Sequence, residues 1–261
     1  MKRCLILRAE KSTPGEEDPY AKALRDANYQ PHFVPALQFD YTNIHEVVNH
    51  LHHPETFSGL ILTSQNSVEA ITLAVKSEAG SNLLTLWKSL PVFVVGKATA
   101  KAVNQLGLSV EGEISGKANN LADIIIKYYS NVDKAQLKPL LFPCGNLKRE
   151  ELPTLLNSAG IPLHTVTCYQ TMPHSNCAKN VREIATLGSP DWIVFFSPSG
   201  VQYSIEALMT AIPSLKDTVK VAAIGPTTAE AARSSGLPVN AVAKSPTPSS
   251  LLEAIQHCDT L

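Results

Sequence analysis

Residues 92–110, "VFVVGKATAKAVNQLGLSV", and residues 221–239, "VAAIGPTTAEAARSSGLPV", align without a gap. They match at Val92/Val221, Gly96/Gly225, Thr99/Thr228, Ala100/Ala229, Ala102/Ala231, Gly107/Gly236, Leu108/Leu237 and Val110/Val239. Each copy reads as a short apolar strand, a glycine turn and a helix whose first turn carries threonine. A chain that writes this module twice must find a layer in which such modules stack. Brief apolar runs of the same kind recur at "CLILR", "GLILTS", "PLLFPCG" and "DWIVFFS". They do not alternate with polar residues, as expected of strands buried on both faces of a parallel sheet. Between them, "SVEAITLAVKS", "TAKAVNQLG", "REELPTLLNSAG" and "TAEAARSSG" carry helical spacing, and several stop at glycine. The expected class is α/β, with right-handed crossovers.

The repeat extends beyond that pair. "LILTSQNSV" (60–68) parallels "VFFSPSGV" (194–201), with Ser64 opposite Ser197 and Val68 opposite Val201. "LRDANYQPHFV" (24–34) parallels "LNSAGIPLHTV" (156–166) more weakly. Three βα modules followed by the same three imply two similar α/β domains, each a parallel sheet flanked by helices, which suits 261 residues. The symmetry permits a cut near "SNVDKAQLK" (130–138). That is the simplest division, and the symmetry leaves open a second, in which the N-terminal module packs with the C-terminal pair.

Composition narrows the partners. Lysine plus arginine number 22 against 23 aspartates plus glutamates, so no global field draws the chain to nucleic acid or to a membrane. Any hold on a polyanion must be local. The five cysteines are scattered without a C-x-x-C pair, which argues against a disulfide framework and for a reducing compartment. In "MKRCLILRAEKSTPGEED" the apolar run covers only Cys4 to Leu7, and no apolar stretch reaches membrane-spanning length. A cytoplasmic protein is expected.

In open parallel sheets, ligands bind beyond the carboxyl ends of the strands. The first N–H groups of each following helix lack intrahelical partners and carry partial positive charge. A carboxylate there gains roughly 0.3–1 kcal/mol, and direct hydrogen bonds to a charged group add about 1.5–3 kcal/mol each. Hydroxyls of Thr63, Ser64, Ser67, Thr99, Ser197, Ser199, Thr227 and Thr228 supply further donors at these turns. Pro198 and Pro226 fit the first helical position. Two such domains facing each other would line a cleft for a ligand bearing several carboxylates. The same residues also suit plain N-caps, with Thr227 and Glu230 spaced as a capping box.

Other constellations speak mostly by exclusion. G-x-G-x-x-G, G-x-x-x-x-G-K-[ST] and G-x-S-x-G are all absent, which removes the usual nucleotide and hydrolase signatures. Cys144 in "LFPCGN" sits at an expected strand-to-helix turn; without a base nearby it reads as a small packing residue. "HEVVNHLHHPE" holds His45, His50, His52 and His53 without H-E-x-x-H spacing, and Pro54 interrupts, so a solvated loop and no metal are expected. Lys148 and Arg149 in "NLKREEL" fall near an expected helix start, where cations need solvent or a bound anion. Lys220 lies at the strand end remote from Thr227.

At "LLFPCGNLKREELP", "TCYQT", "FFSPSG", "AAIGPTTA" and "SPTP" the sequence closely resembles the uroporphyrinogen-III synthase family of the animal type. The resemblance runs from "LILRAEK" to "AKSPTPSSLLEAI". It implies a domain of residues 1–35 plus 173–261, a second of residues 40–166, and linker strands at 36–39 and 167–172. It also implies an enzyme that closes hydroxymethylbilane, a linear tetrapyrrole with acetate and propionate groups on each ring. Water is lost and ring D inverted to give uroporphyrinogen III, without metal or cofactor, by a monomer. By the same resemblance Tyr169 is the catalytic acid, or else a linker residue that packs. Thr63, Ser64, Asn66, Thr99, Ser197, Ser199, Thr227 and Thr228 carry over as substrate contacts, together with Lys148, Arg149 and Lys220. The rival from another class is a non-catalytic two-domain protein that binds a polycarboxylate.

Overall fold

The structure, a computed structural model, describes residues 1–10, 17–78, 82–148 and 150–260. Arg149 lies outside the described residues. In chain order the strands are β1 (Lys2–Leu7), β2 (Tyr29–Phe33), β3 (Leu37–Tyr41), β4 (Gly59–Leu62), β5 (Val92–Val94), β6 (Leu140–Gly145), β7 (Leu163–Pro173), β8 (Trp192–Phe195), β9 (Lys220–Ala223) and β10 (Ala241–Val242). The α-helices are α1 (Pro19–Asp26), α2 (Ile44–His52), α3 (Gln65–Ser77), α4 (Lys97–Gln105), α5 (Ala118–Tyr128), α6 (Glu151–Ser158), α7 (Cys177–Thr186), α8 (Pro198–Ala211), α9 (Leu215–Thr218), α10 (Pro226–Ser234) and α11 (Pro248–Asp259). No helix among the described residues is long and apolar enough to cross a membrane.

The chain divides into two compact units, Met1–Gln38 with Met172–Leu261, and Phe39–Thr171. The first holds the sheet β10-β9-β8-β1-β2, the second β3-β7-β6-β4-β5. Strands β9-β8-β1-β2 pair in parallel, as do β5-β4-β6-β7. The sequence repeats map onto these two runs strand for strand: β8 answers to β4, β9 to β5 and β2 to β7. In unit one, however, the run is assembled from both ends of the chain. A cut at 130–138 would fall inside the second unit, just before β6. The physical reason is that β1 pairs with β8 and β2, which no local signal in the sequence expresses.

Each sheet is covered on both faces, and the strands show it residue by residue. Along β1, Leu5 and Leu7 join one apolar cluster while Cys4 and Ile6 join another. Ile193 and Phe195 of β8 likewise oppose Trp192 and Val194. In unit two, Leu60 and Leu62 of β4 oppose Ile61. Period-two geometry thus sends neighbours to opposite faces, and both faces are dry, which is why the runs are uninterrupted.

Two local expectations need correction. "HEVVNHLHHPE" is not a solvated loop: Ile44–His52 is helical, and Pro54 opens the short 3-10 turn Pro54–Thr56 instead of breaking a helix. Val47 and Leu51 provide the buried stripe that holds this helix to unit two. Thr227 and Glu230 form no capping box: Gly225 is the N-cap of α10, Pro226 follows it, and no side chain caps the helix. Thr227 is already inside the first turn.

Asp259, at the end of α11, fastens the amino edge of unit one's sheet. It accepts from Tyr29 Oη at 2.7 Å, from Trp192 Nε1 at 3.3 Å, and pairs with Lys2 and Lys220 at 3.1 Å each. Burial alone would raise its pKa, but the hydrogen bonds from Tyr29, Lys220, Lys2 and Trp192 outweigh it and hold the carboxyl at about 2. The folded value is below the unfolded one near 3.8. The stabilisation is therefore present at neutral pH and is lost as pH falls from about 4 to about 2. Asp259→Asn is expected to cost on the order of 2 kcal/mol at neutral pH, shrinking through that window. Urea melts of both proteins at several pH values measure the difference.

Candidate functional site

The carboxyl ends of the parallel strands carry the turns singled out in the sequence, separately in each unit. In unit two, β4 ends at Leu62 and α3 begins at Gln65, with Ser64 as N-cap. The Ser64 hydroxyl accepts from Ser67 N at 3.1 Å and lies 3.0 Å from both Ser67 Oγ and Tyr169 Oη. In unit one, Ser197 plays the same part for α8: its hydroxyl accepts from Gly200 N at 2.9 Å and touches Ser199 Oγ at 3.2 Å. The two caps have nearly the same extended backbone, φ −147° at Ser64 and φ −159° at Ser197. "TSQNSV" therefore follows the path of "FSPSGV" without its proline.

The next turns also repeat, with one difference. Val95 N donates to Leu62 O at 3.4 Å, and Ile224 N to Phe195 O at 3.0 Å, so each turn folds onto the neighbouring strand's last carbonyl. The aligned glycines differ: Gly96 has φ 81°, which favours glycine, whereas Gly225 has φ 179°, which any residue adopts. A side chain added at either would meet nothing within 4 Å, so both helix starts are open above the turn. Thr99 and Thr228, three residues on, are buried inside the first turns of α4 and α10, while Thr227 is exposed. Thr63 and Asn66 are half-buried, and Asn66 accepts from Tyr41 Oη at 3.3 Å.

Tyr169 reaches this edge through an irregularity in β7. Cys144 pairs with Thr167 but Gly145 pairs with Tyr169, so Cys168 is the extra residue of a bulge. Cys168 and Val166 stay in the core, and the Tyr169 ring, half-buried, packs against the same cluster. Its ring lies on Gly145: a Cβ there would be 2.5 Å from Tyr169 Cε2 and Cζ. Phe39 and Tyr41 flank it at 6.0 and 6.4 Å between ring centres. Burial raises the phenol's pKa above its ordinary value, opposed by hydrogen bonding from Ser64. The hydroxyl stays protonated at neutral pH.

The cations separate into different surroundings. Lys148 stands on the turn after β6, its N–H bonded to Gly145 O at 3.1 Å and its ammonium paired with Glu150. Helix α6 begins only at Glu151, so Lys148 precedes it. Lys220 opens β9, at the opposite edge from Thr227 and Thr228. There it binds Asp259 and the Cys258 carbonyl, both at 3.1 Å. The structure does not bring it together with the turns. Lys220→Ala is accordingly expected to lower the melting temperature while leaving kcat/KM within about twofold. Loss of activity at unchanged stability would restore it as a substrate contact.

Cys144 sits within β6, buried, with burial pushing its thiol up to about 11, as a packing cysteine would have it. Arg8, to which sequence reasoning gave no role, follows β1 beside Phe196. Its guanidinium lies 4.9 Å from the Tyr20 and Phe196 ring centres and 5.4 Å from Phe33, and pairs with Asp18. Its Nε is buried and makes no hydrogen bond among the described residues. A charged residue ending an apolar strand, with an N-cap aspartate ten residues on, was the available signal.

Comparison with known proteins agrees with this architecture. A family model described as uroporphyrinogen-III synthase HemD matches residues 18–253. The uroporphyrinogen-III synthase of Schizosaccharomyces pombe is 31% identical over 264 residues, covering 99% of this chain and 98% of that protein. That of Saccharomyces cerevisiae is 32% identical over 255 residues, covering 92% and 91%. Among solved structures, the Helicobacter pylori uroporphyrinogen-III synthetase has a TM-score of 0.66 at 17% identity, covering 98% of this chain and 99% of that one. A mutant Thermus thermophilus uroporphyrinogen III synthase has a TM-score of 0.60 at 17% identity, covering 100% and 99%. The structural likenesses speak for the fold, and the family match and the yeast relatives for the lineage: the chain belongs to the uroporphyrinogen-III synthase family.

Proposed function

We infer that the chain closes hydroxymethylbilane to uroporphyrinogen III, as a cyclising lyase of tetrapyrrole biosynthesis. The substrate's hydroxymethyl group departs as water and leaves an electrophilic azafulvene. The terminal ring attacks through its substituted carbon, and the resulting spiro intermediate fragments and recloses with ring D inverted. Because the substrate is intrinsically reactive, the protein's work is largely to hold its ends in one geometry. Unassisted closure at the free carbon gives the symmetric type I isomer.

The observation that carries the reading is the half-buried Tyr169 phenol held 3.0 Å from the Ser64 cap hydroxyl. With Ser64 donating to the phenol oxygen, the phenol's own hydrogen is left for the departing hydroxyl. The same Ser64 bond supports phenolate character as the proton moves. The open turns at Ser64 and Thr99 and at Ser197, Ser199, Thr227 and Thr228 offer donors to acetate and propionate groups, and Lys148 adds a cation. Arg149 belongs to this proposal by its place in the sequence. The reaction takes no metal and no cofactor, and the protein works as a cytosolic monomer.

The test is incubation with freshly prepared hydroxymethylbilane and separation of the product isomers. The type III isomer is expected, at a rate proportional to protein. Type I alone would leave a polycarboxylate-binding protein without chemistry.

A further inference from the structure

Away from these turns, Glu46 and His50 of α2 meet His164 of β7, 114 residues further along the chain. The two imidazole Nε2 atoms point at each other across 3.0 Å, and Glu46 Oε1 lies 3.8 Å from His50 Nε2. One ligand atom from each of the three falls within 4.8 Å of the others. Glu46 and His50, four apart, share one helix face, and Phe57 holds both rings edge-on at 5.6 and 5.8 Å. We propose that Glu46, His50 and His164 bind a divalent zinc-like ion that clamps helix α2 to strand β7.

The geometry suits that class of ion. Nitrogen and oxygen ligands about 2.0–2.1 Å from a tetrahedral centre stand roughly 3.3 Å apart, between the 3.0 and 3.8 Å observed. In the metal-free pair one Nε2 carries a proton and donates to the other's lone pair. Moving that proton to Nδ1 of its own ring frees the second lone pair with no net proton released, and a small swing of both rings off their common line brings the two lone pairs onto the ion. Two neutral imidazoles and one carboxylate leave further positions for water, and their N/O chemistry favours zinc over magnesium or calcium. His164 and Tyr169 are five residues apart on one strand, about 16 Å at the usual rise. The ion is a staple of unit two and takes no part in ring closure.

Metal-depleted protein titrated with Zn²⁺ against a chromophoric chelator tests this. One equivalent should bind, and a hundredfold excess over Kd should raise the melting temperature by about 5 °C or more. His164→Gln should weaken that site by about 100-fold, whereas His53→Gln, next to the cluster but outside it, should not. Glu46→Gln, on a side chain 44% exposed, probes the same site without disturbing packing and should weaken it about tenfold. Co²⁺ should give ligand-field bands without a thiolate charge-transfer band. Equal binding by wild type and both cluster variants, or a thiolate band pointing to Cys258, overturns the proposal.

Discussion

Replacing Tyr169 by phenylalanine is expected to lower turnover roughly 100-fold or more while KM and melting temperature change little. Water cannot leave the hydroxymethyl carbon cheaply as hydroxide, so a hydrogen-bond donor at that oxygen acts mainly in the transition state. A phenol is a weak acid, and burial raises Tyr169's pKa further. Its contribution is therefore a positioned donor that shares its proton as the bond breaks. Across the neutral range the group remains protonated, so turnover should show no ionisation of Tyr169 below its ordinary value of about 10. Single-turnover rates of both proteins, with thermal melts beside them, decide the matter. A loss below about threefold would assign the ring to packing.

Gly145→Ala should be nearly as damaging by a different route. The added methyl would lie 2.5 Å from two ring carbons of Tyr169 and 2.9 Å from its oxygen. A rigid ring flanked by Tyr41 and Phe39 must move bodily to make room, and Asn146 ties the bulge on the other side through Thr171 N at 2.9 Å. Overpacking of this kind costs about 1–3 kcal/mol, and the displaced phenol should lose on the order of 30-fold in turnover. The double variant Gly145→Ala/Tyr169→Phe separates the two effects. Phenylalanine keeps the clashing carbons, so the stability loss should persist. Turnover should fall little below that of Tyr169→Phe alone, since the donor is already gone. Multiplying losses in turnover would mean that Gly145 acts on something other than Tyr169.

Much of the local structure was legible because it is local. Apolar runs marked the strands, and Ser64 and Ser197, each just past the end of such a run, suited N-caps. Proline at 198 and 226 fixed the first helical residue. What escaped depends on partners distant in sequence. The β7 bulge that delivers Tyr169 exists only in its register against β6, so from the residues alone "CYQT" looks like any strand. The histidines of α2 gain meaning from His164 and misled as a loop because Pro54 was read as a breaker. Arg8 acquires its aromatic surroundings from α1, β2 and the end of β8. Lys220 belongs to Asp259, a residue of the last helix, and its position before a strand already argued against the turns. Thr227 and Glu230 had capping-box spacing, but Gly225 and Pro226 had set the helix start two residues earlier.

The split assembly of unit one bears on how the chain comes off the ribosome. Phe39–Thr171 is a continuous stretch and can complete its sheet as soon as it emerges. Strand β1 cannot: its Cys4–Leu7 core is buried on both sides only when β8 arrives, and the backbone of Arg3 meets Asp191, 188 positions further along the chain. Strand β1, made before β2–β10, is thus among the last to be sheltered. For the whole interval an oily ribbon stays uncovered, the period in which a nascent chain most needs a chaperone's cover.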